Sequence, residues 1–212
     1  MLTRVADRER TLEALVKAIV AQYREAPGNY LAFFSSFDYL NRAQQRLQQR
    51  HPDIPNWAQA RTMDEPSRQA FLDRFAQAGQ GVGFAVLGGV FGEGVDLPGS
   101  RLIGAFVVTL GFAQHDKVTQ AICERLEALF AKGYDFTYVY PGIQKVIQAA
   151  GRVIRTETDT GVLVLLDQRY QDERYRGLLP GGGGLSAVFN VATDHPKKNC
   201  HQTWKLKKPA IF

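Results

Sequence analysis

Gln148, Arg152 and Arg155 sit in the run QAAGRVIR at 148–155. At helical spacing they fall near about 0°, 40° and −20° of one another, while Ile143, Val146, Ile147, Ala150, Val153 and Ile154 gather opposite. The apolar side is suited to packing and the polar stripe to an anion. Two arginines three apart repel by about 0.2–0.5 kcal/mol. The only acid one turn from either is Asp159, beyond the expected helix end, where it serves Arg155 alone. Such a stripe fits stabilisation of negative charge brought from outside the chain.

The loop GGVFGEGVDLPG at 88–99 places five glycines in twelve positions after an apolar run. Glycines let backbone N–H groups approach a phosphate or ribose, and Glu93 and Asp96 offer acceptors to hydroxyls or a basic partner. The same composition also suits a plain turn-rich connection. The loop is neither GxGxxG nor GxxxxGK[ST], and no P-loop occurs in the chain. Ser35 and Ser36 follow the apolar run 30–34 at an expected helix N-terminus, where they either bind an anion such as a nucleic-acid phosphate or simply cap the helix.

Other candidates read as structural. Asp64-Glu65 resembles a magnesium-binding acidic pair, but no apolar strand precedes it, and a helix cap is the expectation. Tyr39 and Trp57 have the chemistry to stack on bases, with core packing the better reading for both. Asp167 and Arg169 follow the last apolar run, where a carboxylate can orient one of the arginines. Cys123 and Cys200 show no metal-ligand or disulfide spacing, so no metal site is expected and Cys123 reads as half-buried. His51, His115, His195 and His201 form no catalytic constellation.

These residues need a scaffold of alternating strands and helices. Leu12, Leu15, Val16, Ile19, Val20 and Tyr23 recur at helical spacing and stop at Pro27-Gly28, before a strand at 30–34. A second helix runs to about Arg50, a short extended stretch surrounds Trp57, and a third helix runs from Asp64 to about Ala78. Strands follow at 83–87 and 102–110, then a helix at 117–131, a short strand at 136–139, the arginine helix and a strand at 162–166. Continuous apolar strands between helices indicate an α/β fold, a parallel sheet covered on both faces. Its ligand belongs at the carboxyl ends of the strands, where the loops after Phe34, Leu87 and Leu166 converge.

The 212 residues fit one domain at 1–180, followed by a Gly-rich linker and basic, flexible tail at 181–212. The net charge is +5, but lysines 197, 198, 205, 207 and 208 against Asp194 put +4 of it in that tail. Any nucleic-acid binding by the domain must come from placement of charge. The opening residues do not read as a signal peptide and no run is long enough for a membrane span, so a cytoplasmic protein without membrane partners is expected.

The chain resembles the second RecA-like motor domain of a superfamily 2 DNA helicase of the XPD/DinG type. AFFSSFDYL at 32–40 is similar to the family's motif IV, GVFGEGVDLPG at 89–99 to motif V, and QAAGRVIR at 148–155 to motif VI. GVLVLLDQRY at 161–170 matches its closing strand with Asp-x-Arg, and VVTLGFAQHDKV at 107–118 loosely matches its proline-bearing segment. The resemblance implies a RecA-like sheet lacking the P-loop, with Arg152 and Arg155 as arginine fingers and Gln148 beside them. It implies ATP with Mg2+, shared with a missing N-terminal motor domain. Glu93, Gly94 and Asp96 would couple nucleotide to DNA, while Ser35, Ser36 and Gly89 would lie along single-stranded DNA. An iron–sulfur cluster, found in many members, would belong to the missing part.

The chain alone is expected to be inactive as an ATPase. Two other readings remain: a non-enzymatic module that binds single strands or docks on a helicase, and a small α/β enzyme using the glycine loop for another nucleotide or phosphorylated metabolite.

Overall fold

The computed structural model describes residues 8–92, 96–153 and 161–179, with the backbone of two short strands at 185–186 and 204–206. The elements run α1 (Arg8–Glu25), β1 (Asn29–Phe34), α2 (Phe37–Arg50), β2 (Asn56–Ala58), α3 (Glu65–Asp73), β3 (Gly81–Val86), β4 (Gly104–Val107), α4 (Lys117–Phe130), α5 (Tyr140–Ala150), β5 (Val162–Leu165), α6 (Glu173–Arg176), β6 (Leu185–Ser186) and β7 (Trp204–Leu206).

The sheet order is β2-β3-β1-β4-β5-β7-β6. The first five strands are parallel, with Tyr30 of β1 opposite Val82 of β3 on one side and Gly104 of β4 on the other. Strand parity divides the core. Tyr30, Ala32 and Phe34 of β1, with Val82, Phe84, Phe106 and Val164, face α1 and α2. Leu31 and Phe33, with Ala85, Ala105, Val107, Leu163 and Leu165, face α3 and α5. Both faces are therefore apolar, which is why these strands read as continuous hydrophobic runs. Each large side chain so buried contributes about 1.5–3 kcal/mol. The α/β expectation holds, with the five parallel strands and their helices forming the layered fold.

Three expected elements differ. The strand at 136–139 is instead a π-helical turn, Asp135–Val139, running directly into α5. Pro141 lies in the first turn of α5, and its ring would crowd a carbonyl four residues back in an ordinary helix. Widening relieves that conflict: the Tyr140 N–H reaches the Asp135 carbonyl five residues back. The third helix stops at Asp73 and not near Ala78, which adopts φ +55°. The expected strand 102–110 pairs only over Gly104–Val107.

Within the segment expected to be a linker and tail, β7 pairs antiparallel with β5, Val162 opposite Lys205, and β6 pairs antiparallel with β7. Helix α5 approaches the segment after β4 closely because Gly142 has no Cβ: one would lie 2.5 Å from the Leu110 carbonyl oxygen. Among the described residues no helix is long and apolar enough to cross a membrane.

Candidate functional site

Parallel pairing brings the ends of β1, β3, β4 and β5 to one edge of the sheet. Beyond β3 the chain makes a tight turn over 88–92. The Gly89 N–H donates to the Val86 carbonyl at 3.2 Å and the Gly92 N–H to the Gly89 carbonyl at 2.8 Å. Gly88 has φ +75°, the left-handed region that glycine adopts without strain. Phe91 anchors the turn, buried and stacked on Phe71 of α3 at 4.2 Å between ring centroids. Gln59, just past β2, supports the approach: its side-chain oxygen accepts the Val86 N–H at 2.9 Å.

Helix α5 runs alongside this turn, burying Ile143, Val146 and Ala149. It ends at Ala150, however, and the next bonds run from Arg152 N–H to the Ala149 carbonyl and from Val153 N–H to the Ala150 carbonyl. The uninterrupted helical stripe through Gln148 and Arg152 is thus a correction: Gln148 is on the helix and Arg152 on the turn after it. Gly151, tolerant of a break, lies between them. Both side chains are half-buried. The Arg152 Nε donates to the Gly92 carbonyl oxygen at 3.3 Å, so the two motifs meet across the edge. Asp96 is exposed, whereas Glu93, Gly94 and Arg155 lie outside the described residues.

The β1 edge carries the serines. Ser36 is the N-cap of α2, its hydroxyl accepting the Tyr39 N–H at 3.3 Å. Arg8 donates to the Ser35 Oγ at 2.7 Å and the Ser36 Oγ at 3.4 Å, and its guanidinium lies 4.8 Å from the Tyr39 ring centroid. Burial lowers the Arg8 pKa and pushes the Tyr39 hydroxyl up to about 12. A half-buried cation, two hydroxyls and the positive end of a 14-residue helix converge there.

At the β5 edge the buried Asp167 carboxylate receives Arg169 in two bonds, Nη2 to Oδ2 at 2.7 Å and Nε to Oδ1 at 2.9 Å. Burial opposes the Arg169 charge, yet Asp167 prevails and raises its pKa. Arg169 also lies 5.0 Å from the Phe112 ring centroid. The fully buried Tyr170 donates its hydroxyl to the Thr109 carbonyl at 2.7 Å, tying the segment after β5 to the segment after β4.

The bland readings of the remaining candidates hold. Asp64 caps α3 by accepting the Ser67 N–H at 3.0 Å. Tyr39 and Trp57 are core residues, Trp57 meeting Phe75 edge-on at 4.7 Å. Cys123 is half-buried on α4. Arg8, Gln59 and Lys145 are the edge residues that pattern reading missed. Only Lys145 left a signal, three residues before Gln148 on the same helical face.

Residues 19–182 match the family described as Helicase C-terminal domain. The chain is 29% identical over 182 residues to a probable ATP-dependent helicase of Methanocaldococcus jannaschii, covering 78% of this chain and 27% of that protein. It is 29% identical to the ATP-dependent DNA helicase DinG of Photobacterium profundum, covering 79% and 24%. The helicase subunit XPD of the general transcription and DNA repair factor IIH of Arabidopsis thaliana is 28% identical, covering 84% and 25%. The chain thus spans about a quarter of the length of these relatives. A solved XPD helicase shares the fold with a TM-score of 0.67 at 17% identity, over 80% of this chain and 30% of that one. S. tokodaii Xpd4 does so with a TM-score of 0.61 at 16% identity, over 85% and 35%. With its family match, its relatives and its parallel sheet in agreement, the chain belongs to the helicase C-terminal domain family, as a domain of the XPD/DinG type.

Proposed function

We propose that this chain is the second motor domain of an ATP-dependent DNA helicase and forms one wall of an ATP site whose other wall is a first motor domain. The observation that carries the reading is the Arg152–Gly92 bond, which joins the arginine motif to the glycine turn at the carboxyl edge. A guanidinium fixed by packing and a backbone acceptor is preorganised for developing phosphoryl charge. Arg152 and Arg155 act as arginine fingers there, with Gln148 beside them.

The described residues fit phosphate better than its metal. Lys145 and Arg152 bring positive charge to the turn, while no group of three or more His, Cys, Asp or Glu among the described residues could hold a metal ion. Mg2+ therefore belongs with the first domain's ligands, where it would neutralise phosphate charge. An iron–sulfur cluster needs about four thiolates, and two cysteines in the chain do not fit one.

Glu93, Gly94 and Asp96 continue from the turn and link nucleotide state to the DNA side. Ser35, Ser36 and Gly89 face single-stranded DNA, whose backbone phosphates suit the hydroxyls, N–H groups and Arg8 at the start of α2. Closure on ATP would shift this hold and advance the strand.

The test compares ATP hydrolysis by the 212-residue chain alone with hydrolysis after joining it to a first motor domain, each with and without single-stranded DNA. The expected result is no turnover alone and DNA-stimulated turnover when joined. Equal turnover by the isolated chain would overturn the proposal.

A further inference from the structure

Lys145 lies on α5 three residues before Gln148 and seven before Arg152, on the side that meets the glycine turn. A Cβ built on Gly88 would stand 3.0 Å from the Lys145 Cδ, 3.2 Å from its Cε and 3.6 Å from its Nζ. The missing Cβ therefore makes room for the lysine stem, which lies across the first residue of the turn. Arg152 meets the last residue of that turn, Gly92. The turn is thus straddled by two cations carried on and just after α5.

The side chain is half-buried, and its ammonium makes no ion pair or hydrogen bond with any described residue. The stem packs over Gly88 and carries the ammonium to the rim of the turn. An ammonium is a compact charge on a flexible stem, with three donors to turn towards an anion. The Gly89 and Gly92 N–H groups are taken by carbonyls of the turn itself, so the side-chain cations are what the turn presents to an anion. Lys145 and Arg152, one at each end of the turn, suit a polyphosphate, whose several oxygens call for more than one cation.

We infer that Lys145 is a nucleotide-contacting residue of the interdomain site, its ammonium taking a non-bridging phosphate oxygen of ATP across the Gly88 turn. This rests on the ATP site proposed above and adds a binding role, distinct from the transition-state role given to Arg152. The Lys145 contact is made to ground state and transition state alike, so its loss appears chiefly in KM.

The test uses the chain joined to a first motor domain, with Mg-ATP and fluorescein-labelled single-stranded DNA as probes. Lys145→Met retains the stem over Gly88 and removes the charge; Lys145→Arg retains the charge. Lys145→Met is expected to raise the KM for ATP about tenfold or more, to weaken binding of a fluorescent ATP analogue equally, and to leave DNA affinity within about twofold. Lys145→Arg should recover most of the loss. An unchanged KM, an equal defect in both variants, or a loss confined to DNA affinity would each overturn the assignment. Arg152→Ala run in parallel separates the two levels. Turnover lost there with a normal Lys145→Met enzyme rejects Lys145 alone, whereas turnover retained there rejects the ATP-site reading itself.

Discussion

Arg152 and Gly92 are sixty residues apart in sequence, yet the guanidinium Nε of one donates to the carbonyl oxygen of the other at 3.3 Å. That bond ties the turn that follows α5 to the glycine turn after β3.

The shape of that turn depends on Gly88. Alanine at φ +75° incurs about 1–2 kcal/mol of backbone strain, and its Cβ would also press on the Lys145 stem. Gly88→Ala should lower stability by about that amount in urea denaturation. An unchanged midpoint would show that the turn relaxes elsewhere.

The two serines after β1 should separate by role. Ser36 caps α2 through the Tyr39 N–H, so Ser36→Ala should cost about 1 kcal/mol of stability. Ser35 accepts from Arg8 but caps no helix. Ser35→Ala should change the melting midpoint little and weaken binding of labelled single-stranded DNA, measured by anisotropy. Full DNA affinity in Ser35→Ala would remove that hydroxyl from the proposed track.

The Asp167–Arg169 pair should be sensitive to loss of its acid. Asp167 is almost fully buried and holds Arg169 in two bonds, so Asp167→Ala leaves a largely buried guanidinium without that acceptor. The expected cost is about 3 kcal/mol. Chemical denaturation measures it, and a cost near zero would mean Arg169 swings into solvent.

Helix α4 should respond to acid. Hydrogen bonds from the Thr119 backbone and side chain lower the Asp116 pKa below 3.8 and close a capping box. A carboxyl lowered on folding stabilises above its unfolded pKa, and that contribution is lost as pH falls through the folded value. Amide protection at the first turn of α4, with the intrinsic pH dependence of exchange divided out, should therefore fall below about pH 4, and Asp116→Asn should flatten the dependence. The same acid response in Asp116→Asn would assign it to another group.

Much of the fold was legible because its causes are local. β1, β3 and β5 are buried on both faces and show as apolar runs, while Ser36 and Asp64 announce helix starts through side chains that accept nearby N–H groups. Failures came where a distant or competing constraint governs. Phe136, Tyr138 and Val139 have strand-forming side chains, but Pro141 makes that stretch the widened entry to α5. The arginine stripe requires a helix that continues past Gly151, where the chain turns. Arg8 reaches Ser35 across 27 positions and Gln59 reaches Val86 across the same separation, which periodicity does not report. Strands β6 and β7, two and three residues long, are too short for any pattern.

The most direct measurement is the DNA-stimulated ATP turnover of Arg152→Ala, in the chain joined to a first motor domain, alongside its affinity for ATP. Loss of an arginine that acts on the transferring phosphoryl group should reduce turnover about 10³-fold or more while leaving nucleotide bound. Turnover equal to that of the unaltered assembly would contradict the account.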